Sequence, residues 1–242
     1  MADAVSEAPS PDSVVRAAVT AFARDGYASV TVETLAKQTG MTKRMIHYHF
    51  GDKRGLYVAA LRHALGQLAP PENVLNRSFA VPVEGMRRFL DALYHTCLDN
   101  PDAVRLVLRE NLDPAVEADD AALLTDAREV ALHAERLLLA GQDAGAFRPG
   151  ITAVDLLALI VSLCFFRVGN GVTAQHLSRV DLGSRRNVDG MRRMVIDTVL
   201  AFLTSNISYS GYESYLEPSP APAEAAEPDE LFDIYGEDGR IV

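Results

Sequence analysis

Residues 31–50 read TVETLAKQTGMTKRMIHYHF, and this stretch decides the fold. Thr31 is a good N-cap for a helix that carries Val32, Leu35 and Ala36 on one face and ends at Gly40. Only Met41 separates that Gly from Thr42, which can cap a second short helix to about Phe50. Helix, Gly-containing turn and capped short helix is the helix-turn-helix pattern.

The flanks agree with that reading. Upstream, Asp12 or Ser13 is a suitable N-cap for a helix with Val14, Val15, Ala18 and Phe22 on one face, stopping at Asp25-Gly26. Downstream, Asp52 can cap a helix through Leu56, Ala60 and Leu61 to about Leu68. At about 100° per residue, Lys43, Arg44, His47 and Tyr48 share one arc of about 140°, with Ile46 and Phe50 opposite and His49 at their edge. Such an arc suits a duplex major groove, where Arg or Lys meets guanine O6 and N7 and His meets base edges. Tyr48 and His49 can reach phosphate from the flank, Thr31 and Thr42 place hydroxyls and backbone N–H groups at helix starts, and Lys53 is a further phosphate contact.

Charge is distributed to match. The chain of 242 residues has a formal net charge of −10. Residues 1–66 hold eight Lys/Arg against six Asp/Glu, a net +2, so the remainder carries −12. A weakly basic head on an acidic body points to phosphate contact by the head alone.

Beyond residue 68 every periodic segment reads as helix, so an all-α fold is expected throughout. Residues 69–83, with three prolines, read as a linker. Met86, Phe89, Leu90, Leu93, Tyr94 and Cys97 form a helical stripe. Asn100-Pro101 opens a helix to about Glu110, and another covers roughly Asp120 to Ala140. Thr152 and Asp155 resemble a capping box before an apolar helix ending at Gly169-Asn170-Gly171. Its most apolar run, Leu156 to Phe166, is shorter than the roughly 20 residues of a membrane span and reads as a buried helix. The last strong helix runs near Val188 to Thr204. From Leu216 onward the tail has eight Asp/Glu against Arg240 alone and four prolines, a composition that favours disorder, with Leu231–Tyr235 as an apolar island. The expected organisation is a flexible N-terminus (1–11), a helix-turn-helix domain (12–67), a helical bundle (68–210) and an acidic Pro-rich tail (211–242).

Residues 13–62 resemble the DNA-binding head of the TetR family of regulators. The likeness rests on Ala18, Phe22, Gly26-Tyr27, Thr31-Val32, Leu35-Ala36, Gly40-Met41-Thr42-Lys43, Ile46-His47-Tyr48-His49-Phe50, Lys53 and Leu56, in order and spacing. Two positions depart from the family: His47 replaces the usual aromatic, and long Arg44 stands where a small residue is common. Gly145-Ala146-Phe147-Arg148-Pro149-Gly150 before the apolar helix is similar to the family's segment ahead of its penultimate helix. The resemblance implies a helical ligand-binding and dimerising body whose last two helices form a four-helix interface. On this chain that interface would use Leu159, Leu163, Phe166, Met191, Met194, Val195, Val199 and Phe202. It also implies a cytoplasmic homodimer on a pseudo-palindromic duplex operator, a repressor released by a small-molecule effector. No cofactor, metal or membrane partner is expected.

Polar groups on the apolar helices of the body are the candidates for effector binding: Tyr94, His95, Cys97, Arg105, Arg109, His133 and Arg167. Each has a plainer alternative, such as pairing of Arg105 or Arg109 with Asp102 or Glu110. Cys97 and Cys164 are too few for a disulfide framework, and nothing basic directly adjoins either, which disfavours redox sensing. Two other classes stay open. One is a helical enzyme with a vestigial head, using Tyr94-His95 and Cys97, although no metal-ligand spacing, phosphate loop or nucleophile elbow is present. The other is a nucleoid or interaction protein that engages a partner through its acidic tail.

Overall fold

The computed structural model describes residues 9–75, 79–116, 128–207 and 214–216, and every regular element among them is an α-helix. The head comprises α1 (Pro11–Ser29), α2 (Val32–Thr39), α3 (Lys43–Phe50) and α4 (Lys53–Gln67). The body comprises α5 (Glu72–Leu75), α6 (Pro82–Asp99), α7 (Pro101–Leu112), α8 (Arg128–Asp143), α9 (Ala153–Ser178) and α10 (Arg185–Thr204).

Local caps set most of these boundaries. Thr31, Thr42 and Asp52 each accept, through the side chain, from the backbone N–H three residues on, and Gly40 closes α2 in the left-handed conformation at φ 71°. The start of α1 differs from expectation. Ser10, not Asp12 or Ser13, is the N-cap, in a reciprocal box with Ser13. Pro11 explains the shift, because its fixed φ suits the first helical position and its missing N–H would have had no helical partner there. Helical geometry breaks at Gly26 (φ 80°, ψ 166°) as expected, but one further turn carries the element to Ser29.

Three features of the body also depart from the sequence reading. The Pro-rich linker contains the short α5, whose Leu75 is buried in the body core. Gly169 and Gly171 do not end α9, which continues to Ser178 and closes on Arg179 at φ 54°. The role of Gly169 is close approach: a Cβ there would lie 3.3 Å from Leu108 Cδ1 on α7. Finally, α9 is not a buried helix. By length and composition it could cross a membrane, yet it packs one stripe, Asp155, Leu156, Ile160 and Cys164, into the core. Its other side exposes Val154, Val161, Phe166, Val172 and Leu177. The helix expected from about Asp120 is described from Arg128, and the tail from residue 217, with its apolar island, lies outside the described residues.

The stripe expected on α6 is buried in full and anchors the body core with Leu138, Leu156, Ile160, Val195 and Val199. A second core forms in the head around Val14, Phe22, Leu35, Ile46, Leu56 and Tyr57. The two cores meet on α7, whose Ala103 and Leu106 belong to the head cluster while Val104 belongs to the body cluster. Each large apolar side chain so buried contributes about 1.5–3 kcal/mol, so α7 couples the two parts through packing as well as through hydrogen bonds.

Residues 214–216 return to the start of α9. Leu216 N donates to Asp155 Oδ1 at 2.7 Å, and Tyr215 Oη accepts from Arg148 Nη2 at 2.9 Å. Burial alone would push the pKa of Asp155 up, but bonds from Thr152, Tyr215 and Leu216 outweigh it and hold the carboxyl below its ordinary range.

Candidate nucleic-acid interface

The short α3 is fixed from behind and open in front. Ile46 is 1% exposed in the head core, and Phe50 packs beside it. Lys43, Arg44, His47, Tyr48 and His49 all lie on the surface, Tyr48 at 80% exposure. Thr31 and Thr42, also exposed, spend their hydroxyls as caps on Thr34 N and Met45 N. The helix therefore presents the polar arc read from its sequence, on a scaffold held by buried apolar contacts.

The individual side chains are less uniform than the arc implied. Arg44 has no intramolecular hydrogen-bond or ion-pair partner among the described residues, so its five donors face solvent. The Lys43 ammonium pairs with the Glu33 carboxylate on α2. That hydrogen bond leads the effects that lower the Glu33 pKa. His47 Nδ1 donates to Gly51 O at 2.7 Å. A carbonyl can only accept, so this bond fixes the tautomer and leaves Nε2 as the free ring nitrogen. Lys53 is half-buried and donates to Ala28 O at 3.1 Å, with its ammonium 4.6 Å from the centre of the Tyr27 ring. His49 borders a groove of about 660 Å³ with Val15, Val58, Arg62 and His63. Met45, 43% exposed beside the arc, has no counterpart in the sequence reading because its residue type gives no polar signal.

The seven effector candidates do not converge on one site. Tyr94 is buried, and its hydroxyl donates to Val188 O at 2.7 Å. His95 is on the surface, bonded through Nδ1 to Asp91 O. His133 is buried against Phe89. Arg105 pairs with Asp102 at 2.6 Å, its plainer alternative. Arg109 belongs elsewhere: Nε and Nη2 donate to Ala23 O and Arg24 O of α1, each at 2.7 Å, tying the body to the head. Arg105 and Arg167 share an open groove of about 580 Å³ with Gln175, His176 and Asp181. Cys97 is buried in the body core, in the same apolar cluster as Cys164.

The eight residues expected at a subunit interface also divide. Phe166 and Met194 are 47% and 63% exposed, and Leu159, Leu163, Met191 and Phe202 are half-buried. Val199 is 0% exposed and packs in the protomer's own core, whereas Val195, 2% exposed, packs there and also borders the groove between α9 and α10. Their helix presents the neighbouring stripe outward instead. Leu163, Phe166, Val180, Met191 and Met194 line an apolar groove of about 470 Å³ between α9 and α10.

Two family models match this architecture, one on each part. The model for bacterial regulatory proteins of the tetR family matches residues 14–60, and that for the tetracyclin repressor-like C-terminal domain matches residues 82–199. The chain belongs to the TetR family. It is 27% identical over 176 residues to the HTH-type transcriptional repressor NicS of Pseudomonas putida, covering 72% of this chain and 83% of that protein. The TetR fold is shared with PfmR of Thermus thermophilus at a TM-score of 0.61 and 20% identity, over 80% of this chain and 97% of that one. It is shared too with the Bacillus subtilis regulator FadR, solved with stearoyl-CoA, at a TM-score of 0.59 and 15% identity, over 79% and 98%. This TetR-family chain is a helix-turn-helix, DNA-binding transcriptional regulator.

Proposed function

We propose that the protein is a cytoplasmic homodimeric repressor that holds a pseudo-palindromic operator through α3 of each protomer and releases it when a small molecule binds the body. The observation that carries the DNA half is the solvent-facing arc of Lys43, Arg44, His47 and Tyr48 around the buried Ile46. Arg44, unpaired among the described residues, is assigned to a base edge or the adjacent phosphate. His47 Nε2 is assigned to a base edge, Tyr48 and His49 to the flanking backbone, and Thr31, Thr42 and Lys53 to phosphate. Similarity to a named repressor supports repression, with DNA occupancy rather than turnover as the working output.

Dimerisation is assigned to the exposed apolar surface of α9 and α10, covered by the same surface of a second copy about a two-fold axis. Two heads held that way meet half-sites about one helical turn apart. An effector acts by favouring a head spacing that does not match the operator. That the Bacillus subtilis FadR was solved with stearoyl-CoA supports a small-molecule effector, and the effector of this chain is assigned to the body.

The test is binding of the purified protein to its own upstream DNA. Affinity should fall steeply as salt rises, because phosphate contacts release counterions. Lys43→Ala combined with Arg44→Ala should abolish binding, and unchanged binding by that variant would overturn the α3 assignment. A thermal-shift screen then reads the effector, since a ligand at 100 times its Kd stabilises by about 2.7 kcal/mol. Turnover of a small molecule that disappears with His95→Ala would instead support an enzyme.

A further inference from the structure

The groove of about 660 Å³ that His49 borders lies between α1 and α4 at the end of α3. Val15, Phe50 and Val58 give it an apolar floor, and His49, Arg62 and His63 give it a basic rim. None of the described residues that line it is Asp or Glu. His63 Nε2 is closed to solvent and has no hydrogen-bond partner among the described residues. An apolar floor, a basic rim and an unanswered ring nitrogen suit an acidic peptide segment that carries large apolar side chains.

The chain contains such a segment. Residues 231–235 read LFDIY, with Asp229-Glu230 before them and Glu237-Asp238 after. Residues 217–242 hold eight Asp/Glu against Arg240 alone, a net −7, whereas residues 1–66 are net +2. The other grooves suit this segment less. The one between α9 and α10 is lined by no charged side chain, and the one beside Arg105 and Arg167 includes Asp181. The one beside Leu75 includes Glu129 and Glu135, and the one beside Lys37 lacks an aromatic or branched apolar side chain.

We propose that residues 229–238 dock in the head groove of their own chain. Leu231, Phe232, Ile234 and Tyr235 cover its apolar floor, and the flanking carboxylates meet Arg62 and the two histidines. The reach is sufficient. Leu216 is held at Asp155, and from there to Gly169, which lies against Leu108 of α7, is about 21 Å along α9. The residues from Leu216 to Leu231 span at most about 50 Å. The remaining length, about 29 Å, covers three helix spacings, and α7 packs directly on α1 and α4.

Docking there has a consequence for DNA. His49 belongs to the groove and also to the surface of α3. Carboxylates held beside it repel a duplex and cover one of the contacts assigned to the DNA backbone, so the docked tail restrains binding. Tethered in the same chain, the segment is present at an effective concentration on the order of 1 mM, and modest affinity for the groove suffices. The consequence for DNA rests on the operator reading; the docking does not.

The experiment uses the full chain with p-benzoylphenylalanine in place of Phe232. After illumination, crosslinked peptides are identified by mass. The expected crosslink joins position 232 to α1 or α4 within one chain. Combining Asp229→Asn, Glu230→Gln, Glu237→Gln and Asp238→Asn should lower its yield at least about fivefold, and this variant leaves the head unaltered. Crosslinks to the body or to a second chain, no crosslink, or an unchanged yield in the amide variant would overturn the proposal. Without the photoprobe, the amide variant should bind the upstream DNA at least about fivefold more tightly at low salt. Phe232→Ser with Tyr235→Ser keeps every charge and should also tighten binding. A gain from the amide variant alone would assign the effect to net charge and overturn the restraint by docking, as would no gain from either. Failure of every form to bind DNA would count against the operator reading, leaving the crosslink to decide the docking.

Discussion

The phenol of Tyr57 on α4 donates to Glu110 Oε2 on α7 at 2.7 Å, and the same carboxylate accepts from Ala115 N and Val116 N. One side chain thus joins the head to the body and shapes the chain that leaves α7. The next residue back, Arg109, holds the carbonyls of Ala23 and Arg24 on α1. Two consecutive residues grip two head helices, and any movement of α7 is delivered to both.

Tyr57→Phe should cost about 1–2 kcal/mol, the worth of a hydrogen bond to a charged acceptor, because Glu110 keeps its two amide donors. Glu110→Ala should cost more, about 3 kcal/mol, since it strands the buried phenol and two backbone N–H groups together. Urea unfolding of both variants measures the difference. Equal costs would mean that the loop amides find solvent and that the carboxylate serves Tyr57 alone.

Gly26 and Arg109 make a second contact whose two contributions can be separated. Gly26 sits at φ 80°, and a Cβ there would lie 3.2 Å from Arg109 Nη1. Gly26→Ala should therefore destabilise by more than about 1 kcal/mol, from backbone strain and crowding together. In an Arg109→Ala background the crowding vanishes and only the strain remains, so the alanine should cost less there. A double-mutant cycle read by chemical denaturation supplies the coupling. Additive costs would place the guanidinium away from Gly26 in solution.

Glu33 pairs with Lys43, one of the residues proposed to meet DNA. Glu33→Gln leaves α2 capped by Thr31 and removes both the internal partner and a negative charge beside the phosphate path. Affinity for the upstream DNA should rise about threefold to tenfold at low salt, with the gain shrinking as screening increases. Weaker binding would show that Glu33 orients Lys43 instead of restraining it.

These contacts also mark which parts of the molecule were legible beforehand. Thr31, Thr42 and Asp52 cap through atoms three residues away, so neighbouring residues report them directly. The α6 stripe from Met86 to Cys97 was legible for a related reason, because helical period alone selects the buried face. Period does not say what lies across that face. Tyr57 with Glu110 and Arg109 with Ala23 each join residues far apart in the chain. No local signal names their partners. Gly169 misled because glycine has two uses, ending a helix and letting another approach, and only Leu108 across the interface decides between them. Val199 misled differently: both the protomer core and a partner can bury an apolar helix, and sequence does not distinguish the two faces.

His133 should make stability fall as the solution becomes mildly acidic. It is 2% exposed, its ring centre lies 5.1 Å from that of Phe89, and Nε2 has no hydrogen-bond partner among the described residues. Burial first, and the Arg136 guanidinium second, lower its pKa from the ordinary 6.5. In the unfolded chain the imidazole protonates near that value, while in the native core it stays neutral to lower pH. The unfolded state thus binds more protons below about pH 6.5, and by linkage stability drops as pH falls through that window. The stabilisation is complete above it, and the slope approaches about 1.4 kcal/mol per pH unit for one fully differential proton. His133→Leu keeps the site apolar and removes the titration. Unfolding midpoints of both proteins between about pH 5.5 and 7.5 provide the test, and the difference between the curves isolates His133 from the other histidines. The variant should lose less stability than the parent toward pH 5.5, and parallel curves would mean that the imidazole protonates in the native core as readily as in the unfolded chain.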